Sequence, residues 1–190
     1  MNKYLLASVI ALSVSSGIAQ AADGTITFNG VVTSSACTSI ASVTADSVAT
    51  GTPVSATLTL PNVTASTLNA AAGTYAGQTP FSIQLTGCEA TVALNNVRAL
   101  FTTTSANGGA ITNTAATTPA ANVAIAIMRQ DGTTQIDVNG GSASDPGAAL
   151  PASGSPGPVT LNYQAAYKSL STGVTSGNVT GVADFVISYF

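Results

Sequence analysis

The sequence contains no histidine and no tryptophan. Without histidine the usual general base is missing, and so are the Ser-His-Asp and Cys-His systems that activate a nucleophile. The chain also lacks the G-x-S-x-G, G-x-G-x-x-G and P-loop motifs of hydrolase, dinucleotide and nucleotide sites. Metal ligands of the Cys/His kind are limited to one pair of cysteines. We therefore expect no enzyme activity, no metal site and no cofactor.

Carboxylates are the remaining candidates for catalysis. No two of the seven acidic residues fall in a local acidic pattern, and none matches a calcium-binding loop. Two carboxylates that meet in space remain an alternative as a glycosidase pair. Aromatic residues make up only 5% of the chain, which argues against the stacking platforms of sugar-cleaving sites. The seven acids are Asp23, Asp46, Glu89, Asp131, Asp137, Asp145 and Asp184.

The first 21 residues have the pattern of a secretory signal peptide. Lys3 provides a positive start, an apolar run follows from Tyr4 to Val14, and Ala19-Gln20-Ala21 is a small-x-small cleavage site. No later stretch approaches the length of a membrane-spanning helix. We expect an exported mature chain that begins at Ala22, of about 170 residues, which corresponds to one domain.

Positive charge is scarce in that mature chain. Only Arg98, Arg129 and Lys168 remain after cleavage, so three basic residues face seven acids and the net charge is about −4. Such a chain cannot neutralise a phosphate backbone, which argues against nucleic-acid binding. The same shortage argues against binding to anionic membrane surfaces.

The two cysteines, Cys37 and Cys88, are interpreted as one disulfide because the chain is exported. The bond would close a loop of about 50 residues and contribute up to ~4 kcal/mol in the chain-entropy model. It would tie two strands together, and one expected arrangement places them on opposite sheets of a sandwich. Two free thiols are the alternative.

Strand patterns outnumber helical patterns along the whole mature chain. Apolar residues alternate with polar or small ones in several runs, and Asp131-Gly132 is a strong hairpin signal. The stretch 139–158 is rich in glycine and proline and predicts a long surface loop. Spacing and turn signals together predict an all-β sandwich of the immunoglobulin-like type. The alternating runs are Val54–Val63, Phe81–Leu85, Val92–Phe101, Val123–Met128, Gln135–Val138, Val159–Tyr167 and Val182–Phe190.

The stretch Ala22–Cys37 alternates at the very start of the mature chain. Ile26, Phe28, Gly30 and Val32 share one face of an extended strand, and the opposite face is mostly polar. One interpretation is an ordinary first strand of the sandwich. The other is a donor strand that leaves its own body and lies in the open groove of a neighbouring subunit.

The C-terminal strand ends on apolar residues, with Phe185, Ile187 and Tyr189 alternating before Phe190. This ending is one of four features that occur in order along the chain. The other three are T-x-x-F-x-G-x-V before the first cysteine, TPFSIQLTGC leading into the second cysteine, and the Gln130–Gly132 turn after an apolar strand. With these four features the chain resembles the major subunits of type 1-like fimbriae, which the chaperone–usher pathway assembles. The resemblance covers the whole mature chain.

The resemblance implies an incomplete immunoglobulin-like β-sandwich that is completed by donor-strand exchange. Residues 22–33 would be the donor extension of a pilin domain formed by 34–190. Ile26, Phe28, Gly30 and Val32 would face the groove of the next copy, with Gly30 at a point of close backbone approach. Phe185, Ile187 and Tyr189 would lie on the strand that borders the groove.

The implied partners are other copies of the chain, a periplasmic chaperone and an outer-membrane usher. The carboxylate of Phe190 would meet basic residues of the chaperone, although many relatives end in a polar residue at this point. The protein would pass through the periplasm to a surface fimbrium and support adhesion, with a host surface as a further partner, without being embedded in the membrane. A minor or adaptor pilin and an adhesin subunit that binds host glycans are the alternative functions.

Overall fold

The computed structural model describes residues 36–51, 53–140 and 144–190. Eleven strands and one short helix occupy this part of the chain. Strand lengths vary from two residues to fourteen, so a few long strands carry most of the pairing. In chain order the elements are β1 (Ser39–Thr44), β2 (Val48–Ala49), α1 (Ala65–Leu68), β3 (Tyr75–Cys88), β4 (Asn96–Thr102), β5 (Ala106–Asn107), β6 (Ala110–Thr112), β7 (Val123–Arg129), β8 (Gln135–Ile136), β9 (Ala148–Ala149), β10 (Gly157–Ser169) and β11 (Asp184–Tyr189).

The larger sheet has the strand order β2-β1-β3-β10-β7-β6-β5, and β8 also pairs with β7. Its long strands β3 and β10 pair antiparallel, from Gly157 opposite Cys88 to Lys168 opposite Tyr75. A register shift in this pair lies next to Gly77, which has a φ of +68°. A glycine in the left-handed conformation accommodates the extra residue of such a bulge and increases the local twist.

The smaller sheet has three strands in the order β11-β4-β9. β11 runs antiparallel along the whole of β4, while β9 covers only Asn96 and Val97 at one end of it. β4 is therefore paired fully on one side and only briefly on the other.

The two sheets enclose one main core. Alternate residues of β3, β4 and β10 point inwards, as the period of two requires for strands with one buried face. Four aromatic rings, those of Phe81, Phe101, Tyr163 and Phe185, meet at its centre with centroid separations of 5.0–6.3 Å. A smaller cluster on the other side of β7 consists mainly of alanines, namely Ala110, Ala124, Ala126 and Ala166, around Met128.

Most sequence-predicted strands are present, but one is not. The runs at 81–85, 123–128, 159–167 and 182–190 correspond to parts of β3, β7, β10 and β11. The run Val54–Val63 forms no strand, so that prediction is wrong. Its alternation is still expressed as burial, because Val54, Leu58 and Leu60 are half-buried while their neighbours are exposed.

Two further expectations are corrected in detail. The disulfide between Cys37 and Cys88 is confirmed, but it joins the start of β1 to the end of β3, and these strands are neighbours in one sheet. It does not cross the sandwich. The stretch 139–158, expected to be a long surface loop, contains the short strand β9 as well.

Candidate functional site

An apolar groove opens into the main core beside the start of β11. Its volume is about 440 Å³. One rim is formed by the segment 181–185, and the other by the segment 53–60. The floor is made of core side chains from the larger sheet and β4, namely Phe81, Ile83, Phe101, Ile111, Ile125 and Ile127. An apolar groove lined by core aliphatic and aromatic side chains is a candidate site for another apolar chain segment.

The β11 rim is a strand edge with backbone groups that point away from β4. Phe190 and Asn96 exchange both backbone hydrogen bonds, at 3.1 and 2.9 Å. In an antiparallel pair such exchanges alternate, so Ser188 and Val186 also bond to β4. The N–H and C=O groups of Phe185 and Ile187 consequently point away from β4. Within the described residues no strand pairs with this side of β11.

The opposite rim is held by one carboxylate. Asp46 lies in the turn between β1 and β2, and its oxygens accept hydrogen bonds from the Oγ1 of Thr59 at 2.6 Å and from the backbone N–H of Thr59 at 2.8 Å. The N–H of Asp46 donates to the C=O of Thr57 at 3.1 Å. Both hydrogen bonds lower the pKa of Asp46, and the bond from the Thr59 side chain has the larger effect. We call this contact the Asp46 clasp.

At the start of β11 the backbone lies directly on the groove floor. A Cβ added to Gly181 would come within 2.8 Å of the Cγ2 of Ile111 and 3.1 Å of the Cδ1 of Ile125. The absence of a side chain at this position allows the close approach. Gly181 therefore sets how near the rim lies to the floor.

The structure places the predicted C-terminal residues on one strand and on two faces. Phe185, Ile187 and Tyr189 are half-buried and pack against the main core, and Phe185 lines the groove. Phe190 lies outside that row, with its ring 3.8 Å from the Arg98 guanidinium carbon. The backbone oxygen of Phe190 accepts hydrogen bonds from the N–H groups of Asn95 and Asn96. The predicted donor residues Ile26, Phe28, Gly30 and Val32 lie outside the described residues.

A buried polar network, which the sequence analysis did not identify, closes the other side of β4. The Tyr163 hydroxyl accepts a hydrogen bond from the Ala99 N–H at 3.0 Å and donates to Asp145 Oδ2 at 2.9 Å. Asp145 Oδ1 accepts from the Gly147 N–H at 2.8 Å, and the Arg98 Nη1 donates to the Asp145 backbone oxygen at 2.9 Å. Burial raises the pKa of Tyr163. The hydroxyl thus stays protonated and can donate.

A second concavity of about 550 Å³ lies between the β7–β8 hairpin, β10 and the segment 145–148. Its charged groups are engaged within the chain. The Asp131 carboxylate accepts from the N–H groups of Thr133 and Thr134, and the Asp145 carboxylate is bonded as described above. No group of three or more potential metal ligands occurs among the residues that the structure describes. The apolar groove is therefore the better candidate for a functional site.

A family model described as fimbrial protein matches residues 26–190. The chain belongs to this fimbrial protein family. It is similar to the F17 fimbrial protein of Escherichia coli, with 36% identity over 195 residues that cover 100% of this chain and 99% of the relative. It is also similar to the major fimbrial subunit SMF-1 of Stenotrophomonas maltophilia (strain K279a), with 34% identity over 175 residues, 90% of this chain and 95% of the relative.

The fold of this fimbrial chain is shared with a solved structure. A chain from a chaperone–usher pilus studied for rod uncoiling superposes with a TM-score of 0.55 at 24% identity, covering 89% of this chain and 96% of the other. The all-β, immunoglobulin-like fold is confirmed. Membership of a family of fimbrial subunits also confirms that the chain is not an enzyme. Within the described part of the chain, no helix has the length and apolar character needed to cross a membrane.

Proposed function

We propose that this chain is a pilin that polymerises by donor-strand complementation. The segment carrying Ile26, Phe28, Gly30 and Val32 in one copy fills the apolar groove of the next copy. The observation that supports this proposal best is the edge of β11, which no described strand pairs, beside a groove lined by core side chains. A fold that is missing one strand has this edge and this groove in the same place.

The groove suits the chemistry of the predicted donor face. A strand laid beside β11 can pair with the outward-pointing backbone groups of Phe185 and Ile187. Its apolar side chains would then point to the floor, where Ile83, Phe101 and Ile127 are at most 5% exposed. Burial of Ile26, Phe28 and Val32 is worth roughly 2 kcal/mol each, about 6 kcal/mol in all. Loss of translational and rotational freedom offsets part of that gain.

The orientation of the donor follows from the requirement for an open fibre. A contact repeated head to tail gives a filament, whereas an isologous contact closes a dimer. The chain enters its own body at Ala36, beside Glu89, whose N–H donates to the Ala36 oxygen at 2.8 Å. That end of the body also holds Phe190. In a head-to-tail fibre, the extension enters the next groove near Asp184 and runs towards Phe190, antiparallel to β11.

The open groove implies temporary partners before assembly. An exposed apolar groove of this size invites association with other chains. We propose that a periplasmic chaperone occupies the groove in transit, that an outer-membrane usher exchanges it for the next subunit, and that the product is a surface fimbrium that supports adhesion. On this proposal 22–33 is the donor extension and 34–190 is the pilin domain. The similarity to a protein described as a major fimbrial subunit supports the proposal that many copies of this chain form the shaft of the fibre.

Removal of the donor tests the proposal directly. Deletion of 22–33 should leave a subunit that accumulates in the periplasm but never appears in surface fibres under electron microscopy. Gly30→Leu should have the same effect because a side chain meets the groove at a point of close approach. Asn29→Leu is the matched control, since it adds the same side chain to the opposite face, and it should retain fibres. Fibres of normal length after the deletion would refute the proposal.

The number of copies per fibre distinguishes a major subunit of the shaft from a minor or adaptor subunit. Immunogold labelling along single fibres should find this chain throughout the shaft. Labelling confined to the tip or to isolated points would instead identify a minor or adaptor subunit. Either result leaves the strand-exchange test unaffected.

A further inference from the structure

The body has two ends that lie at opposite termini of β4. The disulfide end contains Cys37, Cys88, the turn 89–94 and Phe190, which are linked by backbone bonds from Glu89 to Ala36 and from Asn95 to Phe190. The rim end contains 181–184 and 102–104, where Asp184 lies opposite Thr102. Seven residues of extended chain separate these ends by roughly 20 Å.

The tether between the predicted donor face and the body is short. Only Thr33, Ser34 and Ser35 separate Val32 from Ala36. Fully extended, the four steps from Val32 to Ala36 span at most ~14 Å. A donor strand that reaches the end of a neighbour's groove therefore holds the two bodies closer together than the length of one body. The disulfide end of the donor copy therefore lies within about 14 Å of the point where Val32 sits on the receiving copy.

The disulfide end presents an exposed apolar side chain on a fixed turn. Val92 is fully exposed. Its turn is closed by a bond from the Thr91 N–H to the Leu94 oxygen at 2.8 Å and by a bond from the Leu94 N–H to the Thr91 Oγ1 at 3.1 Å. An exposed valine held by two bonds in a tight turn is suited to a contact, because little order has to be gained on binding.

The rim end presents a second exposed apolar side chain beside the groove entrance. Val182 is 70% exposed and lines the rim. Its backbone oxygen accepts a hydrogen bond from the Thr103 Oγ1 at 2.8 Å, which anchors it to the end of β4. In the head-to-tail orientation this residue lies where the donor extension enters.

We propose that Val92 of one copy packs against Val182 of the copy that receives its extension, forming a body-to-body contact in addition to the strand exchange. The inference rests on the proposed donor-strand function and names a second surface for the same partner, another copy of this chain. The contact would limit bending at each joint of the fibre.

Cross-linking within assembled fibres tests this contact. Fibres of a Val92→Cys, Val182→Cys double variant are treated with a short bismaleimide, dissociated and separated on a denaturing gel. We expect a ladder of covalent multimers. The control pairs Val92→Cys with Val186→Cys, whose residue 186 is 58% exposed on the outer face of β11, and it should give no ladder. A second test pair, Ala93→Cys with Thr104→Cys, places the thiols at neighbouring exposed positions of the same two ends.

The outcomes separate this inference from the proposed function. If fibres form, both thiols react with a monofunctional maleimide, and neither test pair gives a ladder, the Val92–Val182 contact is wrong while strand exchange stands. Covalent dimers from Val92→Cys alone would show that two disulfide ends meet, which overturns the head-to-tail contact. If fibres still form after deletion of 22–33, the proposed function itself fails.

Discussion

The two edges of the smaller sheet differ in how their backbone groups are satisfied. On the β4 side, β9 pairs with Asn96 and Val97. The next outward-pointing N–H, that of Ala99, donates a hydrogen bond to the Tyr163 hydroxyl. Farther along, the Phe101 oxygen accepts the N–H of Asn139. On the β11 side, no described strand follows. Within the described residues, a buried network closes one edge and no strand pairs with the other, which is consistent with the donor-strand function proposed above.

The largest expected effect comes from placing a charge at the open edge. Phe185→Asp puts a carboxylate on the groove wall, where an incoming apolar strand would have to bury it without a partner. We expect loss of surface fibres, measured by electron microscopy, with the subunit still present in periplasmic extracts. Val186→Asp is the control, since its side chain points to solvent, and it should assemble. Equal loss of fibres in both variants would contradict the assigned groove face.

Breaking the closed edge should affect stability and leave the groove unchanged. Tyr163→Phe removes the partner of the Ala99 N–H and one partner of the buried Asp145 carboxylate, at a cost of about 1–3 kcal/mol. The free energy of unfolding is measured by denaturant titration on a self-complemented form, in which a copy of 22–33 follows Phe190 through a flexible linker. The antiparallel orientation places the start of that copy beside Phe190.

Tyr167→Phe provides the comparison for this measurement. Tyr167 lies on the same strand, is half-buried and has no hydrogen bond to its hydroxyl in the described part of the molecule. Loss of this hydroxyl should change the free energy of unfolding by less than about 0.5 kcal/mol. A loss as large as that of Tyr163→Phe would show that the Tyr163 network has no special role in closing the edge.

Filling the space under Gly181 should have an intermediate effect. The added methyl group of Gly181→Ala lies 2.8 Å from the Ile111 side chain, so the rim has to move outwards or the floor has to shift. Overpacking of this kind costs about 1–3 kcal/mol at most, and the open rim can absorb part of it. We expect slower uptake of a fluorescent 22–33 peptide by the chaperone-free subunit. Gly157→Ala is the control for the replacement of a glycine by alanine, because the added Cβ would lie 3.5 Å from Pro151, an ordinary contact distance.

The smallest effect is expected at the Asp46 clasp. Because hydrogen bonds from Thr59 hold the folded-state pKa of Asp46 below its ordinary 3.8, the clasp is intact above that pH and is lost as the pH falls through the lower folded value. The protection factor of the Thr59 amide is measured by NMR on the self-complemented form, with the exchange rate corrected for the intrinsic rate at each pH, and it should be high at neutral pH and fall in strong acid. Asp46→Asn should lower the protection factor at neutral pH and remove its acid dependence. An unchanged exchange profile would rule out the clasp as the anchor of this rim.

Alternation in the sequence was sufficient to predict the buried faces but not the pairing. The period of two reports which side chains meet the main core, and this holds for β3, β10 and β11, whereas β7 is buried on both faces because the alanine cluster covers its other side. It holds equally for Val54–Val63, where Leu58 and Leu60 are half-buried although no strand is formed. A ladder needs a partner strand on at least one side, and this information is absent from a single segment. The wrong strand prediction thus marks the rim of the groove.

The contacts between distant segments could not be predicted at all. Tyr163 and Asp145 are separated by a glycine- and proline-rich loop, and neither residue belongs to a motif that links them. The position of the disulfide within one sheet depends on β1 lying beside β3, which cysteine spacing does not specify. The donor residues remain a prediction, because they lie outside the described residues.

The groove lining has a further consequence for the environment in which a fibre works. Its walls are aliphatic and aromatic, with Asp184 as the charged residue at one end. Cohesion through apolar contact and backbone pairing depends little on dissolved ions, because screening acts on charges. Filaments joined through this groove are therefore expected to hold equally well in fresh water and in brine.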